Sequence, residues 1–431
     1  MALALFGLTL LTRLPFATTN LYAPDAVLYV RGMERFDPFD QQPQPPGYLW
    51  YVLVLRAIAF VTHEPNRAMT IVAAVAGAAT VALVYLLAAR LYDERTAKVS
   101  ALFVLTAVTF CAYGGVAYPY TLLAATRATI ATAALSAAMV GALVGAWVFA
   151  SGLADGGVAR FLEAVRIQSK FVDDRYSIFG NGPIAIYRNA YELGRFLGRG
   201  LYFLIPLVVV MVISTEARRI ELRDRWRTAF IGLWLLMPLA FYLFIHVGEY
   251  GYIFSMLPGL AIVAARGSIA LAKGMRMPRT FKWIVMAVVL GNAAIFLLSD
   301  TPISARDIAR HDRGIDEKVA ALAPFPADST LVVTAYDDVL VNYYLHGPAV
   351  LRYDPIATPA FTEPLACDAA SSHKPCSGTD VAVVLWDDLL RAEGSGWQEV
   401  RMPHGGRLRI AHVGRSASLR VSEGLGVEIV R

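Results

Sequence analysis

Seven apolar stretches follow one another before Asp300, at about 68–89, 99–116, 130–150, 201–214, 228–246, 252–271 and 283–299. Most are close to the roughly 20 residues that a helix needs to cross a hydrocarbon core about 30 Å thick. The chain is 57% hydrophobic and 17% charged, where an ordinary soluble domain is about one quarter charged. The apolar excess is concentrated in these stretches, so the expected class is a polytopic, mainly α membrane protein. The N-terminal run "MALALFGLTLLTRLPFATTN" has no basic segment ahead of it and no clean small-x-small cleavage site. It reads as a first, slightly short membrane helix and not as a removed signal peptide. "YLWYVLVLRAIAFVTHEP" carries Arg56 at its centre and reads equally as a juxtamembrane helix or a full span. The expected bundle has about 8 spans.

Charge orients the bundle. "RLYDERTAK", "EARRIELRDRWR" and "KGMRMPRTFK" are arginine- and lysine-rich connections, which the positive-inside tendency places in the cytoplasm. That puts the first loop (17–47), the 246–251 turn and everything after Asp300 outside. The expected location is the inner (plasma) membrane, multi-pass, with an extracytoplasmic C-terminal domain. One stretch breaks the count. Tyr118-Pro119-Tyr120 and the 151–200 loop both fall outside, so an even number of crossings must fit between Tyr120 and Ser151. About 30 residues cross comfortably once, or twice only as short or re-entrant segments. The 151–200 loop also carries seven basic residues. Arg127 reads as the residue at a cytoplasmic turn or as an intramembrane charge.

After Asp300 the composition becomes soluble-like. "ARDIARHDRGIDEKVAALAPF" reads as a helix, "STLVVTA" and "DVAVVLWDD" as buried strands, "YDDVLVNYYLHG" as a helix, and "RLRIAHVG" and "SLRVSEG" as late strands. The expected organisation is a membrane domain, 1–299, with external loops 17–47 and 151–200, followed by a small α/β domain, 300–431. Neither glycine-rich nucleotide fingerprint is present, and no basic tract with interleaved aromatics suggests nucleic acid. The net charge of +5 follows from the cytoplasmic arginines. Of the three cysteines, Cys111 lies in an apolar stretch. Cys367 and Cys376 lie in a polar loop and would form a disulfide if that loop is outside the cytoplasm. A zinc pair there lacks nearby ligands to complete four.

The first loop contains "DAVLYVRGMERFDPFDQQPQPPGYLWY". Residues 25–36 read as a short amphipathic surface helix, with Tyr29, Val30, Met33 and Phe36 on one face and Arg31, Glu34 and Arg35 turned away. Pro45 and Pro46 end it. From spacing alone Asp25 reads as a helix cap, and Glu34, Asp37 and Asp40 as a solvated face. This loop resembles the first external loop of bacterial GT-C glycosyltransferases, the glycosyltransferase 39 and aminoarabinose- or mannosyltransferase-like relatives. The pattern is an acid after the first helix, Asp25, an aromatic, Tyr29, then Gln42-Pro43-Gln44-Pro45-Pro46-Gly47-Tyr48 leading into an apolar helix. "YGGVAYPYTLLA", "RFLEAVRIQSKFV" and "FIHVGEYGYIFSMLPGLAIVAA" resemble later segments of the same family, in the same order.

The resemblance implies a membrane enzyme that moves a sugar from a polyprenyl-phosphate donor to an acceptor (lipid, glycan or protein) at the outer face. It makes Asp25 the general base and needs cations to hold the lipid phosphate. Arg166, Lys170 and Arg175 in the external loop are candidates for that, or are basic residues near lipid headgroups. The substrate pocket would be lined by Tyr29, Gln44, Pro45, Pro46 and Tyr48 in the first loop and by His246, Glu249 and Tyr252 near the late turn. His246 and Glu249 read as a sugar contact or an interfacial pair, and Tyr250 and Tyr252 as belt or pocket residues. No cofactor or metal is assigned, although a divalent ion remains compatible. The chain departs from the family between the "YPY" exit and the central external loop, where relatives carry additional helices. The other class to weigh is a non-catalytic transporter or polyprenyl-lipid-binding protein, the latter including a degenerate family member that binds the lipid without turnover. Transporters usually carry internal repeats and mid-membrane charges, and no repeat is visible here.

Overall fold

The computed structural model describes residues 1–116, 137–215, 224–275, 279–353, 360–365, 380–422 and 424–430. The expected disulfide (Cys367, Cys376), the Tyr118–Tyr120 exit, Arg127 and most of the compressed stretch after it lie outside these residues. The chain divides into two compact units, 1–18 with 31–308, and 19–30 with 309–431.

The first unit is helical. Ala2–Arg13 continues into a 3-10 turn, Leu14–Phe16. Pro65–Leu91 is the longest helix, with 27 residues, enough for about 40 Å at 1.5 Å per residue. It starts where Glu64 accepts the amides of Asn66 and Arg67 and Pro65 occupies the first turn, a favourable position for a residue without an N–H. Its inward face is rich in small residues, including Ala68, Ala73, Ala74, Gly77 and Ala78, which let helix backbones approach closely. It packs against Ala2–Arg13 and against Glu94–Thr106. That last helix is capped by Asp93, breaks at Ala107 and resumes as Val108–Tyr113. Arg13 is buried in the first helix and donates from Nη2 to the carbonyl of Leu105, beside the break. A buried cation thus lies against a carbonyl where the helical ladder is interrupted.

Among the described residues three helices are long and apolar enough to cross a membrane: Pro65–Leu91, Arg225–Phe244 and Thr280–Leu298. There are four if Pro183–Leu201 and Leu204–Ile213, bent by 112°, are one broken span. The other expected spans are shorter or interrupted. Ala2–Phe16 and Leu49–Thr62 are short apolar helices, Glu94–Thr106 is broken at Ala107, and Leu257–Gly274 carries Arg266 and Lys273. Leu257–Gly274 crosses Leu204–Ile213 so closely that a Cβ at Gly267 would lie 2.0 Å from the Leu207 carbonyl oxygen.

The second unit contains two sheets. The first has order β2-β1-β4-β7-β6, built from β1 (Thr330–Thr334), β2 (Ala349–Arg352), β4 (Asp380–Leu385), β6 (Gln398–Arg401) and β7 (Arg407–Gly414). β1 runs parallel to β2 and β4, and β7 antiparallel to β4. The second sheet, β3-β8-β9-β5, uses β3 (Phe361–Pro364), β5 (Arg391–Glu393), β8 (Ser418–Val421) and β9 (Gly426–Val430). β1 is buried along its whole length, as its unbroken apolar run requires of a central parallel strand. Leu331, Val333, Val383 and Val413 face a core shared with the second sheet through Leu419 and Val427. On the other face Val332, Val384 and Trp386 pack with Leu322 and Val341.

Candidate active site

The first loop forms the helix expected for it, Pro24–Glu34, with Asp25 in the first turn. Asp25 is half-buried and Tyr29 is buried. Both belong to the second compact unit. The start of this segment is bonded to two helices of that unit. Asp312, on Ala305–Leu322, accepts the Thr19 amide at 3.0 Å and hydroxyl at 2.8 Å with one oxygen, and the Asn20 amide at 2.8 Å with the other. Tyr344, on Asp338–Tyr344, accepts the Leu21 amide at 2.7 Å.

The strap that follows lies in the first unit. Its turn is built on Gly47, whose φ of +83° suits glycine. A Cβ there would lie 2.7 Å from Pro38 and 2.8 Å from Phe36. Gly47 N–H donates to the Gln44 carbonyl at 3.0 Å. Pro45 is buried, Pro46 half-buried, and Gln44 Oε1 is buried without a hydrogen-bond partner. Tyr48 and Trp50 are exposed, as interfacial anchors would be, but Tyr51 is 3% exposed and packs inward. Arg56 has a definite role. It donates to the carbonyls of Met33 at 2.7 Å and Gly32 at 3.0 Å, capping the C-terminal end of Pro24–Glu34, where cations are favoured.

Asp37 is not part of a solvated face. It is 1% exposed and pairs with Arg35 at 2.6 Å and with Arg160 at 2.7 Å. Arg160, in the first turn of Val158–Tyr176, also bonds the Asp155 carboxylate at 3.0 Å and the Asp155 carbonyl at 2.8 Å. It lies over the Phe39 ring at 5.0 Å. Burial pushes the Asp155 carboxyl up, against the pull of Arg160. Asp37, Arg160 and Asp155 therefore join the strap to the start of Val158–Tyr176. Sequence reading put Asp37 on a solvated face and did not single out Arg160 or Asp155. The available signal was an acid closing an apolar run, in "GLADGGVAR". The pairing across the chain had none.

Further along Val158–Tyr176, Arg166 and Lys170 are exposed and share a face four residues apart. Arg166 meets Glu163 at 3.4 Å. Arg175 lies on another side of the helix, over the Phe171 ring at 4.4 Å. The three expected phosphate ligands thus divide into a pair and a separate residue. His246 and Tyr252 are brought together, with ring centroids 5.5 Å apart, and the Tyr176 ring lies 4.5 Å from that of His246. Arg188 and Asn189 both donate to the Tyr176 carbonyl, at 2.9 and 3.3 Å. Burial first, then the Arg188 charge, push the His246 imidazole down to about 4, so it is neutral at physiological pH. Glu249 immediately precedes the 3-10 turn Tyr250–Ser255. Tyr250 accepts from Arg199 at 2.9 Å. Among the described residues no three His, Cys, Asp or Glu side chains form a metal-ligand group.

Compared with solved structures, the chain is similar to ArnT from Cupriavidus metallidurans in the apo state. The TM-score is 0.43 at 14% identity, over 95% of this chain and 96% of that one. The form of ArnT bound to undecaprenyl phosphate gives 0.42 at 14% identity over the same shares. An Archaeoglobus fulgidus oligosaccharyltransferase tethered with an acceptor peptide gives 0.41 at 12% identity, over 85% of this chain and 64% of that one. At this level of superposition none of them fixes the activity of this chain. No family model and no curated protein matches it.

Proposed function

We propose that the chain is an integral membrane glycosyltransferase of the GT-C type, moving a sugar from a polyprenyl-phosphate donor to an acceptor hydroxyl or amine at the extracytoplasmic face. The reading rests on one observation. A carboxylate in the first turn of a helix, Asp25, follows an apolar first helix and precedes a capped, proline-turned strap, on a chain whose first unit contains membrane-length apolar helices. In the reaction the acceptor oxygen or nitrogen attacks the anomeric carbon of the sugar. The bond from that carbon to the phosphate oxygen breaks, the electron pair leaves on the lipid phosphate, and the acceptor proton passes to Asp25. A phosphate is an acceptable leaving anion, so no strong acid is needed. The demands are a base in hydrogen-bond reach of the acceptor and cations at the phosphate. Arg166 and Lys170 are the first candidates for the phosphate because they share an exposed face, and Arg175 is the second. His246, Tyr252 and Tyr176 offer aromatic faces and a neutral imidazole suited to sugar hydroxyls, with Glu249 beside them.

The test is sugar transfer from polyprenyl-phosphate sugars in proteoliposomes. Asp25→Asn is expected to lower turnover at least 100-fold with donor binding retained. Full turnover in that variant would remove Asp25 from the chemistry. Donor binding without transfer in the wild type would favour a lipid-binding protein.

A further inference from the structure

A general base must be held to within a fraction of an ångström of its working position. A loop joined only to the helix before it does not meet that demand, and residues 19–30 are not such a loop. They form one compact unit with residues 309–431. Each residue from Thr19 to Tyr22 is bonded to a helix of that unit. Besides the Asp312 and Tyr344 bonds already described, Asn20 Nδ2 donates to the Asp312 carbonyl at 3.1 Å. His311 Nε2 meets the Tyr22 carbonyl at 3.0 Å, and the two rings stand 4.7 Å apart. Leu21, Ala26, Val27, Tyr29 and Val30 are buried, so the helix that starts at Pro24 is packed on the side away from solvent as well as bonded at its entry.

We propose that the C-terminal α/β unit is the mount of the catalytic carboxylate, with Asp312 and Tyr344 as positioning residues that fix the backbone leading into Asp25. This rests on the reading of Asp25 as the base. Asp312 suits the task. One carboxylate accepts three donors from two successive residues, which fixes both the direction and the register of the chain. Tyr344 accepts the next amide, so three consecutive backbone N–H groups are held by two side chains. Residues 309–431 thereby acquire a role in the reaction through the position of Asp25.

The experiment uses the full chain in proteoliposomes and two readouts, hydrogen exchange and turnover. In Asp312→Ala, amides across residues 19–22 are expected to exchange at least 100-fold faster, while β1 and β4 keep their protection. Turnover is expected to fall 10- to 100-fold with KM for the polyprenyl-phosphate sugar within twofold, because a base displaced by about 1 Å loses rate and not donor affinity. Asp312→Asn retains one accepting oxygen and is expected to recover part of both. Tyr344→Phe removes only the acceptor of Leu21 and is expected to cost a few-fold. Loss of protection at residues 19–22 with unchanged turnover would overturn the proposal. So would unchanged protection. If Asp312→Ala unprotects the whole unit, Tyr344→Phe decides by the same criteria. Full activity in Asp25→Asn would instead remove the underlying reading, and the exchange data would still decide whether the mount exists.

Discussion

Asp37 shows how far a single carboxylate can differ from its sequence setting. It sits in a loop with Glu34 and Asp40, and those two are exposed, yet Asp37 is buried between two arginines. Arg160 joins it to Asp155, so the three side chains act together. Asp37→Ala is expected to loosen the strap, read as faster proteolysis between residues 36 and 48. Arg160→Met should do the same, and the double variant should be no worse than either single one, since residues in one network are not additive. A second acid pair lies at the carboxyl ends of β1 and β4. Asp387 accepts from the Thr334 hydroxyl at 2.7 Å and from the Ala335 amide. Burial, then the neighbouring Asp387, push Asp337 up to about 7. A carboxyl raised in the folded state keeps its proton there after the unfolded chain has lost it. Its contribution is therefore full below about 4 and is lost as pH rises through about 7. Melting of the C-terminal unit should fall over that window in the wild type. It should be flatter in Asp337→Asn, which should melt higher at pH 8 by a few degrees.

Helices and strands were legible where their period was long and their burial one-sided. Pro65–Leu91, Arg225–Phe244 and Thr280–Leu298 follow from continuous apolar runs, Ala305–Leu322 from the helical repeat of its apolar residues, and Val158–Tyr176 was anticipated only through a family resemblance. β1 and β4 were legible as buried valine-rich runs. β2, β3, β5, β6 and β9 were not, being three to five residues long and mostly half-exposed or exposed. Such strands are specified by their neighbours and not by local pattern. The break at Ala107 was hidden because both halves are apolar. Glycines decide two contacts at this scale. Gly267→Leu is expected to separate Leu204–Ile213 from Leu257–Gly274, since even a Cβ there would meet the Leu207 carbonyl. Cysteine cross-linking across that pair would show the loss. Gly47→Ala combines an unfavourable φ with a clash, and should cost about 1–3 kcal/mol in thermal or denaturant stability.

For the whole molecule, the sequence was most informative about class and least informative about assembly. Apolar runs predicted a membrane protein with an α/β end. They did not predict that residues 19–30 would fold with the last third of the chain, because a bond such as Thr19 to Asp312 spans 293 positions and leaves no local trace. Among the candidate residues, Asp25 and Tyr29 in one unit and Tyr48, His246 and Tyr252 in the other were singled out in the sequence by residue type and pattern. The helices that hold Asp25's approach, and the Asp37–Arg160–Asp155 junction, depend on contacts made far along the chain.

That separation also sets an order of birth. Thr19 leaves the ribosome well before Asp312 exists, by roughly 15–60 s at ordinary elongation rates over the 293 intervening positions. During that interval the early segment has none of its late hydrogen-bond acceptors. A chain truncated ahead of residue 309 would therefore leave residues 19–22 open to protease however well its apolar helices inserted, and the capacity to hold Asp25 would arrive only once Asp312 and Tyr344 had been made and folded.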